Sequence, residues 1–471
     1  MSKKAGIGIA AAVVVVAAGA MGTSYYMGGK LQDEFTAAAA RAEEHGVSVK
    51  ITSYERGAFS STAKTVWTLD KGDEPVQFTA DHKISHGPLP MGHAAQIHTA
   101  FQLPADADEA LKTALNGRSP LEVDTKLGWS RSSSNVMTSP AVVAKIKEDD
   151  MNWGGMKIAW DMPADMKAAK GTASFAGLQF KDEEGTMRGM EKAEMRFDVK
   201  RPEGHQFWTG PFAMTIAKFT ATNPEGDGKT SSSTFEGITL DSDTILKTDV
   251  LEATLKGGIK SVKLQDASAD DLALDVVFRN IDAGWLNSFM ELSKRKAKTS
   301  DGEDGDDEEN LDSDLRDKLF KNMTQALARK PAIEIKRISM RTPEGVSEFG
   351  ANVEYLGNGE KMGELLKDIK VSVNANVPKP VLDSFLTSRK RSALLSNFDD
   401  EDEIKEHAKE IDEAAKEQAQ ASITALKEHG IFEDKDGKMS TQIVYANGEF
   451  QVNGKPLSTE GYGTLMGEAL E

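Results

Sequence analysis

Four of the eight histidines fall in one short stretch, at His82, His86, His93 and His98. An extended strand turns successive side chains to opposite faces, so His82 and His86, four apart, point the same way. Imidazoles placed like this can ligate zinc or copper. The sequence fixes no third ligand beside them, so His82 and His86 are candidate metal ligands without a completed set. Joint replacement of the histidines by Gln is therefore expected to leave metal content and folding nearly unchanged.

Other chemistry fails on position. Asn223-Pro224-Glu225-Gly226-Asp227-Gly228-Lys229-Thr230 ends like a phosphate-binding loop, but that loop needs Gly where Asn223 stands and a strand feeding a helix. Strands are expected on both sides, so the segment reads as a polar hairpin. Asp434-Lys435-Asp436-Gly437 has the middle of a calcium loop, yet its first and twelfth ligand positions fall on Phe432 and Ile443. No Gly-x-Ser-x-Gly elbow and no His-Glu-x-x-His pair occurs. Cysteine is absent, which removes disulfides, thiolate metal sites and Cys nucleophiles together. No catalytic residue and no cofactor is expected. The formal net charge of −18 repels phosphate backbones, so nucleic acid is not an expected partner.

The elements that would position these residues are mostly strands. Val47, Val49 and Ile51 alternate with Ser48 and Lys50, and Ala63, Thr65 and Trp67 follow the same period. Met156 to Trp160, Ser174 to Phe180, Phe235 to Leu240 and Leu272 to Phe278 read likewise. Period-two runs broken by Gly, Pro and Asp predict strands with one buried face. Turns are expected at Asn223-Pro224-Glu225-Gly226 and at Thr342-Pro343-Glu344-Gly345. Phe175-Ala176-Gly177-Leu178 is echoed by Phe235-Glu236-Gly237-Ile238.

Helical spacing predicts four further segments. A short helix over Lys30 to Glu44 is followed by one over Asp282 to Lys296, carrying Trp285, Leu286, Phe289 and Leu292. Another holds Leu315, Leu319, Met323 and Leu327 and stops at Pro331. A long one runs from about Asp400 to His429, closed by Gly430. Its stripe Ile404, Ala408, Ile411, Ala415, Ala419, Ile423 and Leu426 is narrow. Such a stripe covers a sheet of its own chain; its coiled-coil-like spacing also allows pairing with a second subunit, making a homo-oligomer. The acidic run Asp301 to Glu309 predicts a solvated loop.

The N-terminus predicts a membrane partner. After Lys3 and Lys4, no residue from Ala5 to Gly29 is charged. The apolar stretch Ala5 to Met21 is near the minimum for one span, which must be helical because lipid offers no hydrogen bonds to the backbone. The two lysines favour a cytoplasmic start. Ala18-Gly19-Ala20 also fits a signal-peptidase site, but the length of the run and its uncharged continuation favour a retained anchor. The reading is of 1–29 as a single N-terminal anchor at the bacterial inner membrane, 30–280 as a β-rich periplasmic region, and 281–471 as an α+β region ending in a hairpin. The expected fold class is α+β and β-rich: elongated, largely antiparallel curved sheets with packed amphipathic helices behind one transmembrane helix.

Several short motifs, taken in order, carry a resemblance. They include Gly22, Tyr25 or Tyr26, Gly28 and Lys30 after the anchor, Tyr54-Glu55-Arg56-Gly57-Ala58-Phe59-Ser60-Ser61, His86-Gly87-Pro88-Leu89-Pro90, and Pro120-Leu121-Glu122-Val123. Leu127-Gly128-Trp129-Ser130, Tyr445-Ala446-Asn447-Gly448-Glu449-Phe450 and Val452-Asn453-Gly454-Lys455 complete them. The chain resembles the YdgA family of Gram-negative bacterial envelope proteins, and the resemblance covers most of its length. It implies an anchored protein with a periplasmic body and hands over no reaction. On their own chemistry the motifs are structural. Arg56-Gly57 reads as a turn or bulge, Pro88 as a strand end, Asn447-Gly448 as a tight hairpin, and Asn453-Gly454 as a second turn. The function expected is binding, of an envelope protein in a scaffold or assembly role, or alternatively of a lipid or other amphipath in a sheet-lined groove; an unrecognised hydrolase is the lesser alternative.

Overall fold

A computed structural model describes residues 47–458, apart from 57–59, 70–75, 87–92, 105, 226–228, 266, 300–321, 360–364 and 397–400, together with 460–463 and 467. The expected helix over Lys30 to Glu44, the N-terminal anchor and the acidic run therefore lie outside the described residues, as do Gly57, Phe59, Gly87 and Pro88. The chain is β-rich and its strand pairs are antiparallel. It divides into two units, residues 1–243 with 297–303, and residues 244–296 with 304–471.

The first unit is a meander. Strands β1 (Val47–Arg56), β2 (Ser60–Leu69), β3 (Val76–His86) and β4 (Ala95–Gln102) pair in sequence order. Helix α1 (Glu109–Leu115) follows, capped by the Asp108 side chain, which accepts from Ala110 N at 2.8 Å. Then come β5 (Leu121–Leu127), β6 (Ser133–Ser139), β7 (Val142–Ile146), β8 (Asp149–Trp153), β9 (Met156–Met162), β10 (Ala168–Lys181), β11 (Met187–Lys200) and β12 (Gly210–Glu225). The order is kept except that β9 returns to β6 while β7–β8 leave as a hairpin that rejoins at β10. Alternation does what the sequence predicts. Ala63 and Trp67 on β2, Ala80 and Ile84 on β3, and Ile97 and Phe101 on β4 all lie on one face and form one buried cluster reaching Trp160 on β9. Trp67 meets Phe101 edge-on, centroids 5.5 Å apart.

The echoed motif has a backbone cause. On β10, Phe175 packs against the buried cluster and pairs with Met156 of β9, while Leu178 pairs with Trp153 of β8, which packs against the same cluster. Between them Gly177 takes a φ of 145°, and a Cβ there would sit 2.9 Å from Met190 O on β11. Gly237, at the same place in the echo, has a φ of 63°. It lies in β13 (Lys229–Lys247), the strand after β12. Both backbones sit at positive φ inside a strand, a conformation that a residue without a Cβ adopts at little cost. Gly177→Ala is expected to cost about 1–3 kcal/mol. Urea unfolding checks this; an unchanged midpoint would show that the backbone relaxes there without strain.

In the second unit β14 (Val250–Leu264) and β15 (Ala267–Asp282) pair, and helix α2 (Ala283–Thr299) leaves β15 directly. Asp282 starts that helix by accepting from Trp285 N at 2.8 Å. A helical segment at 322–328 ends before Pro331, where the sequence places its stop, and strands β16 (Ala332–Thr342) and β17 (Gly345–Tyr355) form the expected hairpin. Helix α3 (Leu365–Asp368) precedes β18 (Ile369–Pro378), which pairs β17. Then come α4 (Lys379–Leu395), α5 (Glu401–Glu428), and strands β19 (Glu433–Lys435), β20 (Lys438–Ala446), β21 (Glu449–Val452) and β22 (Lys455–Pro456). Strand β20 closes back on β18.

Helix α5 is the predicted long helix. Its stripe is buried at Ile411, Ala415, Ala419, Ile423 and Leu426. Gly430, with φ 69°, ends it, and Ile431 N donates back to Leu426 O at 2.8 Å. The partner is α4, which the sequence reading missed, together with the sheet. Leu382 and Leu386 of α4 join Ala419, Ile423 and Leu426 around Ile431 and Met439 of β20. Arg391 of α4 donates to Asp412 of α5 at 2.6 Å. The hairpins behave as read. Asn447 and Gly448 turn β20 into β21, Asn453 and Gly454 turn β21 into β22, and all four have positive φ, as a tight reversal requires. The Asn453 amide also donates to Gly430 O at 2.9 Å, tying the second turn to the end of α5.

Candidate functional site

Two places gather features beyond ordinary packing: a buried polar line under the first unit's sheet, and the apolar face of the second unit's sheet.

The polar line runs across β2, β3 and β4. The Trp67 indole N–H donates to Thr65 Oγ1 at 2.7 Å. His82 Nε2 lies 2.8 Å from that same hydroxyl, and His82 Nδ1 lies 2.9 Å from Thr99 Oγ1. His82 is 3% exposed, and burial pushes its imidazole down from 6.5 to about 4, against a smaller opposing pull from the Asp81 carboxylate. The ring is thus a neutral core residue with both nitrogens engaged. A similar set lies further along the same face, where Thr125 donates to the Asn135 side chain at 2.8 Å and Asn135 donates to Ser133 at 3.0 Å.

His82 and His86 do share a face of β3, as the spacing predicts. His86 Nε2, however, meets Ser61 Oγ at 3.1 Å, and His98 faces the other way, with Nδ1 3.0 Å from Asp124 Oδ1. Among the described residues, no group of three or more His, Asp or Glu is placed to hold a metal ion. The expectation that these histidines are dispensable for folding needs correcting for His82. Its hydroxyl partners lie on neighbouring strands, each seventeen residues away in sequence, beyond the reach of local spacing rules. The motif residues Tyr54 and Arg56 lie at the end of β1 and Ser60 at the start of β2, while Tyr445 pairs with Phe450 across the terminal hairpin, ring centroids 4.7 Å apart.

The second place was not read from the sequence. Directly opposed residues of antiparallel strands share a face. Along one line across the second unit these are Ala253, Phe278, Ile333, Val353, Val371 and Tyr445. The next line is Leu255, Val276, Ile335, Ala351, Val373 and Ile443. A third holds Leu274, Ile338, Phe349, Ala375 and Thr441. This face carries no charge over six strands. Its polar side chains at the helix end, Ser347 and Thr441, are buried, while Ile333, Ile338 and Val353 are about 40% exposed. Helices α4 and α5 pack over the end around Val377 and Met439, and Val276 in the second line is also buried. The opposite face takes the polar residues: Glu334, Asn352 and Ser372 lie in one line, and Glu348 and Asn376 in another.

With this geometry in place, relatives can be weighed. A family model described as "Bacterial protein of unknown function (DUF945)" matches residues 1–460. The chain belongs to the DUF945 family. It is also similar to Protein YdgA of Escherichia coli (strain K12), 20% identical over 494 residues, covering 95% of this chain and 94% of that protein. The resemblance read from the short motifs is thereby established at the level of family. No solved structure matches the DUF945 chain. No described helix is long and apolar enough to cross a membrane.

Proposed function

We propose that this DUF945 protein is an inner-membrane-anchored envelope protein with a periplasmic body, and that it acts by binding, in a scaffold, assembly or envelope-maintenance role. The observation that carries the binding role is the uncharged, half-exposed face of the second unit. A sheet with one apolar face gains by burying it against another layer. Helices α4 and α5 supply that layer over the end around Val377 and Met439, and among the described residues Ile333, Ile338 and Val353 stay exposed as a contact surface. An environment-sensitive apolar dye tests this. The full chain is expected to bind it, and Ile333→Asp with Val353→Asp to lower the bound dye about fivefold with unchanged circular dichroism. Equal dye binding in both proteins would remove this face from the proposal.

The anchor reading is supported by the lysines at 3 and 4 and the uncharged run that follows. Protein purified from membranes is expected to retain residues 1–29. N-terminal sequencing decides it, and a start at Met21 would mean that the segment is a cleaved signal peptide.

A further inference from the structure

We infer that the second unit's sheet face takes the hydrocarbon chain of a lipid, an inference that rests on the binding role proposed above. Charge complementarity separates the candidate occupants. A protein partner ordinarily brings about one hydrogen bond per 100–200 Å² of interface, and its energy is concentrated in Trp, Tyr and Arg contacts. This face offers such a partner few groups: Ser347 and Thr441 are buried, Glu334 and Glu348 lie on the reverse side, and Tyr445, half-buried at the end of the first line, is the one Tyr among the residues named. A second copy of the chain would bring another net −18 toward the first. A saturated chain asks for neither hydrogen bonds nor charge.

The dimensions agree. Strands lie about 4.8 Å apart, so six of them carry each aliphatic line over roughly 24 Å. Residues two apart on a strand are separated by about 6.8 Å, so the Ile333–Val353 line and the Ile335–Ala351 line run side by side at that spacing. One leaflet of a bilayer has about 15 Å of hydrocarbon, so an ordinary acyl chain can lie along these two lines without meeting a charge.

Photocrosslinking in intact cells tests the assignment on the full chain. Benzoylphenylalanine is placed at Val353 or at Ile338, and at Glu354 as a control of matching depth on the polar face. Far-UV circular dichroism is recorded for each, so that one position serves if the other perturbs folding. After irradiation, intact mass is expected to reveal lipid adducts at Val353 or Ile338 at least tenfold above Glu354. Adducts of protein mass, or of the chain's own mass, would overturn the lipid assignment and leave the binding role standing. Adducts at or below the Glu354 level would overturn both.

Discussion

Placing aspartate at both Ile411 and Ile423 is expected to abolish cooperative unfolding of the second unit. The two side chains are 5% and 3% exposed. Removing a buried Ile costs about 2–5 kcal/mol through lost burial and the cavity left behind. Leaving an unpaired carboxylate in its place costs several more. The positions are twelve residues apart on one helix, or roughly 18 Å, so the two losses should add. Their sum reaches the whole stability of an ordinary domain, about 5–15 kcal/mol. Ile423 touches the cluster of α4 and β20, so the damage spreads to Leu386 and Met439. Urea titration followed by circular dichroism reads it. A variant that stays folded and changes only from dimer to monomer in light scattering would make α5 an oligomerisation element instead.

Acid should destabilise the first unit through one ring. His82 in the folded chain takes up a proton only near pH 4, whereas in the unfolded chain it does so near 6.5. Between those values the unfolded state holds the extra proton, so stability falls as pH falls through that window and levels off below it. A difference of about 2.5 units at about 1.4 kcal/mol each comes to roughly 3–4 kcal/mol. His82→Gln should lose that part of the acid dependence while being less stable at pH 7, because Thr65 and Thr99 lose the imidazole that joins them. Urea midpoints at pH 7 and pH 4.5 for both proteins measure this. The same acid loss in the variant would mean that carboxylates, not His82, carry it.

What was legible in the sequence was local. Period-two runs gave β1, β2, β9 and β10, and Asn447-Gly448 gave the terminal hairpin, because a tight turn between strands needs positive φ at both positions. The stripe from Ile411 to Leu426 marked the buried side of α5 correctly. Helix α4 was missed, although a Pro at the first helical positions is a start signal and Leu382 and Leu386 follow at helical spacing. The uncharged face could not be read at all. It depends on register across six strands, and register is reset by irregularities such as the one between Ile335 and Ile338. Alternation tells which residues of one strand share a side; it does not tell which strand lies next.

The meander order also bears on how the chain reaches its final state. Most strands pair with the one just before them, from β1 through β6 and from β14 through β18. Loop closure is inexpensive for such neighbours, so low contact order favours rapid, stepwise zippering from either end. Two pairings are different: α2 and the segment after it lie between β15 and β16, and the whole of α4 and α5 lies between β18 and β20. The β18–β20 closure cannot precede the docking of α4 and α5 without a large entropic loss. The second sheet should therefore gain its last strands late, and a ribosome or translocase pausing before residue 438 would hold a nearly complete sheet with its β18 edge still unpaired and open to other chains.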